Sequence, residues 1–285
     1  MPPLYIPQSP HIQTLDKLTA SPQIRLGLQG MPGNGKTWAA LTFPNPIVLN
    51  FDRGLGAHIG RSDVVEVPFY LPEFVDTIYP RSGMKSPSNR RDALLKWLVT
   101  DGIKLTEEQT LIVDGSTGIQ NAFETEYNLH PVTTKQGAID DFALWRLKVE
   151  YFGEVCETFK FLKCHVVYIC HETPDRDKKG ELNGLVRPLL SGQFGDQLAS
   201  HFTDFFRQLA HAAPTKENEL KAKEFYRIDD ATLKEWRAKM PPQTFYVWQT
   251  QADEIAKCKT SSLVNAPKYI LADYTSFAQY RRKIS

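Results

Sequence analysis

The sequence predicts an α/β fold with a mostly parallel central sheet flanked by helices, and three observations predict it. Short apolar runs alternate with helix-like stretches along most of the chain. Two of those runs, Leu111-Ile112-Val113 and Val166-Val167-Tyr168-Ile169-Cys170, are apolar throughout, as strands buried on both faces must be, and they end on Asp114 and His171. Between the first strand and the first helix lies a glycine-rich turn, Gly30-Met31-Pro32-Gly33-Asn34-Gly35-Lys36-Thr37.

The elements follow in order. Residues 1–22 are rich in proline and have no period, which reads as an N-terminal arm; 23–285 reads as one domain. Ile24, Leu26 and Leu28 alternate with Gln23, Arg25 and Gly27 as a strand should. Helix is expected from Thr37 to Leu41, and strands over Ile47–Phe51 and Val64–Phe69. A loop is expected over Tyr79–Asn89, then helix over Asp92–Val99, strand to Asp114 and helix over Ile119–Tyr127. Residues His130–Gly137 read as loop, Phe142–Leu162 as a long amphipathic helix and His165–Cys170 as strand. Glu172–Gly184 is polar and reads as a long loop. Phe202–Leu209 resumes the core. A charged insertion at about 212–242, densest over Lys216–Lys239, reads as exposed and helical, and Phe245–Gln249 as a late strand.

Composition bounds the function. Hydrophobic residues at 41% and charged residues at 24% allow a proper core, and a formal net charge of +1 gives no overall field for nucleic acid, so any such contact needs a local patch. No apolar run has transmembrane length, and Met1–Pro10 lacks the order of a signal peptide, so a cytoplasmic protein without membrane attachment is expected. Cys156, Cys164, Cys170 and Cys258 form no C-x-x-C pair and read as inert thiols.

The turn from Gly30 to Thr37 is a complete G-x-x-x-x-G-K-T motif, set between a strand and a helix as a phosphate loop requires. Its glycines let backbone N–H groups aim at phosphate oxygens, and the helix start adds a positive end. Lys36 is expected to reach the β- and γ-phosphates and the Thr37 hydroxyl to ligate Mg²⁺, so Gly30 to Trp38 is the stretch expected to hold ATP. Asp114 is placed to hold the Mg²⁺ shell. His171, ending the next strand, is placed to sense the γ-phosphate or position water, because ligands sit at the carboxyl ends of parallel strands; a surface histidine is the plainer alternative.

This order of parts, from the loop through Asp52, Asp114, the long helix and His171 to Leu189-Leu190-Ser191-Gly192 and Lys257-Cys258-Lys259, resembles the RecA-like P-loop ATPase core. More narrowly, over residues 23 to 275 it resembles the compact phage recombinase-type ATPases, the phage nucleotide-binding AAA-like proteins. The resemblance implies a phage protein in the host cytoplasm that binds single-stranded DNA and promotes annealing or strand exchange, with a single-stranded DNA-binding protein as a partner. It implies that Glu172–Gly192 is a DNA-binding loop in which Arg176, Lys178, Lys179 and Arg187 meet phosphates, and that His130–Gly137 is a second. It also implies that Lys257 and Lys259 reach a neighbouring subunit's γ-phosphate, so that turnover needs a homo-oligomer, ring or filament. Mobile charged loops and solvated lysines are the bland readings of the same residues.

One departure stands out. The RecA-type glutamate expected shortly after the second strand is missing from Asn50-Phe51-Asp52-Arg53-Gly54; Asp52 or Glu66 is left to orient water. A nucleotide-gated loader or regulatory ATPase with little turnover is therefore the alternative, and a small-molecule kinase, its lid hidden in the charged insertion, the third. Phe202, Phe205, Phe206, Phe142 and Trp145 are expected in the core rather than stacked on bases.

Overall fold

A computed structural model of the chain describes residues 23–80, 90–129, 131–176, 179–190, 193–240 and 244–281. The expected arm at 1–22, most of the expected loop at Tyr79–Asn89, and His130, Lys178, Ser191 and Gly192 lie outside them. The chain runs β1 (Arg25–Gly30), α1 (Lys36–Ala40), β2 (Pro46–Asn50), β3 (Val65–Pro68), α2 (Pro72–Ile78), α3 (Arg90–Thr100), β4 (Thr110–Asp114), α4 (Ser116–Leu129) and α5 (Asp141–Phe159). It continues through β5 (His165–Arg176), β6 (Leu182–Pro188), α6 (Gln193–Gln197), β7 (Asp204–Ala212), α7 (Glu219–Tyr226), α8 (Asp230–Lys239), β8 (Thr244–Gln249), β9 (Lys259–Thr260), β10 (Tyr269–Leu271) and α9 (Tyr274–Tyr280).

The sheet runs β10-β8-β7-β1-β5-β4-β2-β3, with β6 on β5 and β9 on β7. From β7 to β3 every pairing is parallel, while β8 and β10 continue the sheet antiparallel. The expected α/β fold with a mostly parallel sheet is what is found, and β5 lies between the phosphate-loop strand β1 and the Asp114 strand β4. Strand alternation explains the two cores. Along β5, Val166, Tyr168 and Cys170 face one cluster with Phe159 and Phe202, and Val167 and Ile169 face another with Phe43, Phe206 and Trp248. No helix among the described residues is long and apolar enough to cross a membrane.

Three expectations fail, each for a physical reason. The loop expected over Glu172–Gly184 is a β-hairpin: β5 runs on to Arg176 and β6 returns, with Thr173 opposite Arg187. Both strands are largely solvated beyond the main sheet, so they carry no apolar period; backbone pairing and polar contacts such as Asn183 to Asp175 hold them together. The charged insertion is helical but not merely exposed. Tyr226, Leu233, Trp236 and Met240 pack with Phe245 and Tyr269 as a third core; their sparse apolar spacing is hidden among the charges. Phe142, expected in the core, is 69% exposed and lies against Trp145, ring centroids 5.6 Å apart. It falls off the buried stripe of Tyr151, Phe152, Val155 and Phe159. Phe202, Phe205 and Phe206 are buried as expected, as are Cys156, Cys164 and Cys170.

Candidate nucleotide site

Strand β1 delivers the loop, and two glycines shape it. At Gly30 a Cβ would come 2.7 Å from the Gln208 carbonyl oxygen of β7, so only hydrogen fits where the strand turns upward. Gly35 caps α1 with φ +74, and a Cβ there would meet the Tyr246 ring at 2.6 Å. Asn34 Nδ2 donates to the same Gln208 oxygen at 3.2 Å, tying the loop to β7.

Lys36 opens α1 and is 5% exposed. Its ammonium donates to the Gly30 and Met31 carbonyls at 2.8 and 2.9 Å, and burial holds its pKa below the ordinary value. The register of β1 on β5 sets Gly30 beside His171, whose Nδ1 lies 3.3 Å from the Lys36 Nζ. An ammonium only donates, so toward Lys36 the Nδ1 atom can act only as an acceptor. Burial first, then the charge of Lys36, keeps His171 below the usual histidine range and neutral at pH 7.

Asp114 ends β4, two strands from β1, and Thr37 Oγ1 donates to its Oδ2 at 2.7 Å. Burial pushes this carboxyl up to about 6; Asp52 adds to the push, and the Thr37 hydrogen bond and Lys36 oppose it. A buried carboxylate that disfavours its own charge beside a hydroxyl oxygen is a donor pair suited to a divalent cation. Asp52 is exposed, just beyond β2, and lines the same cleft.

The cleft holds about 640 Å³ and brings together Lys36, Thr37, Trp38, Asp52, Asp114 and His171 from the expected set. It also contains His58, Arg61 and Tyr246, which sequence reasoning missed. Nothing marks Tyr246 in the sequence, since it lies more than two hundred residues from the loop. Arg61 is held by Asp63 and the Leu41 carbonyl. Glu66 is outside this lining and accepts a hydrogen bond from Asn50 Nδ2 at 2.7 Å.

The remaining expected residues lie elsewhere. Arg176 donates to the Gly180 carbonyl at 2.7 Å and Arg187 faces Asp175 at 3.3 Å, both within the hairpin, and Lys179 is exposed at its turn. Lys259 donates to the Phe202 carbonyl at 2.6 Å from β9, whereas Lys257 is exposed. None of these enters the cleft of its own chain.

A lysine and a threonine at the head of α1, meeting an acid two strands away, make a seat for a nucleoside triphosphate, and on this sheet that seat defines a P-loop ATPase. Within that class, residues 23–224 match the family described as AAA domain, and the chain belongs to that family of ATP-binding ATPases. No curated protein matches the chain.

Among solved structures, the chain is similar to the assembled ATPase EscN from the enteropathogenic E. coli type III secretion system, at 12% identity over 72% of this chain and 45% of that one, TM-score 0.38. It is similar to EscN in complex with its central stalk EscO at 12% identity, 75% and 50% coverage and TM-score 0.38. A prototypical ATPase from the type III secretion system of pathogenic bacteria gives 13% identity, 71% and 54% coverage and TM-score 0.37. The chain spans about half the length of these structures.

Proposed function

We propose that this ATPase hydrolyses Mg²⁺-ATP as a homo-oligomer and couples the nucleotide to single-stranded DNA held by the β5–β6 hairpin, in recombination of the annealing or strand-exchange kind. The observation that carries the reading is the continuity of β5. One strand runs from His171, against Lys36, directly into the hairpin with Arg176, Lys179 and Arg187. Glu172, the next residue, is 4% exposed and held at 2.9 Å through both carboxylate oxygens by Arg207 of β7. A shift of His171 toward a γ-phosphate would therefore be passed to the hairpin through a clamped strand. Thr37 and Asp114 would hold Mg²⁺, whose further ligands would be phosphate oxygens and water, and the metal would neutralise charge on the phosphates. Asp52 is the acid left to orient the attacking water. Lys257, the exposed member of its pair, would be the cation offered to a neighbouring subunit.

The test is ATP hydrolysis with and without single-stranded DNA over a range of protein concentrations, beside a Lys36→Ala control. Stimulation by DNA and turnover per subunit that rises with concentration are expected, and Lys36→Ala should abolish the activity. No stimulation, together with no DNA retention in a non-hydrolysable ATP analogue, would overturn the DNA reading. A second reading, a nucleotide-gated loader or regulator with little turnover, is favoured by the acids at the cleft. Among the described residues lining it only Asp52 and Asp114 are acidic, and Glu66 is engaged by Asn50. Tight ATP binding without turnover under any DNA condition would establish it. The described residues of the charged insertion pack in part as core and contribute nothing to the cleft lining, which leaves the kinase reading without its lid.

A further inference from the structure

The residues that would meet the phosphates of a bound triphosphate stand to one side of β1. His171 on β5, Asp114 on β4 and Asp52 beyond β2 all lie on that side, and Lys36 leans toward it. The base must leave the loop on the other side, where β7 and β8 stand. Those strands overshoot β1. Gln29 is level with Arg207 of β7, whereas Tyr246 of β8 is opposite Ala210, three residues further on, or about 10 Å at the rise of a strand. Tyr246 thus stands beside the phosphate loop rather than beneath it.

Two observations show what it meets there. Its ring lies over Gly35, within 2.6 Å of where a Cβ would be. It also packs against Trp38, with ring centroids 5.4 Å apart and planes at 39°. Both rings are half-buried and line the cleft, and they are its two large aromatic side chains among the described residues. A flat aromatic surface beside a triphosphate seat accepts the face of a nucleobase, at little conformational cost.

We propose that Tyr246, together with Trp38, is the platform on which the base of the bound nucleotide stacks. This rests on the loop being the triphosphate seat. Tyr246 lies beyond the segment matched to the AAA domain family, which ends at residue 224. The C-terminal part of the chain would therefore complete the nucleotide site, with a ring that follows the α7–α8 insertion.

The test compares two ligands that share the phosphates and differ in the nucleoside: a non-hydrolysable ATP analogue and inorganic tripolyphosphate, each titrated with Mg²⁺ by calorimetry. Tyr246→Ala and Tyr246→Leu should weaken the ATP analogue about ten-fold, the scale of one stacked base, while tripolyphosphate changes less than about two-fold. The leucine keeps apolar bulk against Gly35 and Trp38, so it serves if the alanine variant does not fold. Tyr246→Phe, which keeps the ring, should recover most of the affinity lost in Tyr246→Leu. Equal weakening of both ligands would make Tyr246 a strut for the loop and overturn the proposal, as would unchanged affinity for the ATP analogue. If the unmodified protein binds neither ligand, or if Lys36→Ala keeps both, the triphosphate seat itself is wrong and the platform falls with it.

Discussion

Asp114 and His165 are two buried titratable residues whose pKa shifts pull stability in opposite directions. The Asp114 carboxyl is raised from 3.8 to about 6, so its charged form costs stability above that range, and the cost is relieved as pH falls through 6. Asp114→Asn removes the charge, while the amide oxygen can still accept from Thr37. The variant should raise the unfolding midpoint at pH 8, by up to about 3 kcal/mol of stability, and not at pH 4. The same variant should lower Mg²⁺-dependent hydrolysis at least ~100-fold, the order lost when one charge-stabilising group is removed. A lower midpoint at pH 8 would contradict this account. His165 runs the other way. Its Nδ1 accepts from the Ile24 N–H at 3.1 Å, and burial, with the charges of Arg281 and Arg25, pushes it down to about 4. The neutral ring stabilises the fold above pH 6.5, and that contribution is lost as pH falls toward 4. Urea midpoints measured across that window should fall less steeply for His165→Asn than for the unmodified chain. Lys36, Thr37 and Asp114 are legible in the sequence because their chemistry demands fixed spacing or a polar end to an apolar strand. His58, Arg61 and Tyr246 obey no such rule, because folding alone brings them to the loop.

Elements divide along the same line. β4 and the inner half of β5 are readable because burial on both faces forces an unbroken apolar run, and β1 because its apolar residues alternate. The outer half of β5 and β6 were unreadable because strands with little to bury need no pattern. The α7–α8 insertion shows a third case: charge dominates its composition, but a few well-spaced apolar residues decide its packing. Trp236 is 5% exposed and packs edge-on against Phe245 and Tyr226. Trp236→Ala should therefore cost about 3–5 kcal/mol in chemical denaturation. Lys234→Ala, on the exposed face of the same helix, should stay within ~0.5 kcal/mol. Similar small losses for both would mean that the insertion is only a surface appendage.

At the scale of the molecule, the α/β class was legible from alternation and from the phosphate loop, and the antiparallel turn of the sheet at β8 and β10 was not. Nothing in a strand's own residues states which neighbour it will pair with. That unread extension matters for where the chain can be divided. Residue 224, the end of the segment matched to the AAA domain family, lies inside α7, before the strand that pairs with β7 from Arg207 to Ala212. A polypeptide stopped there would keep Lys36, Thr37, Asp114 and His171, every residue by which a phosphate loop is recognised. It would also present one whole side of β7 as unsatisfied N–H and C=O groups above apolar faces. Such an edge is a template for any other extended chain. The shortened polypeptide should emerge from a sizing column as large aggregates, whereas the full chain should not; recovery of a monodisperse fragment would show that β7 needs no cover. What protects this protein from sticking to copies of itself would then be its least recognisable fifth.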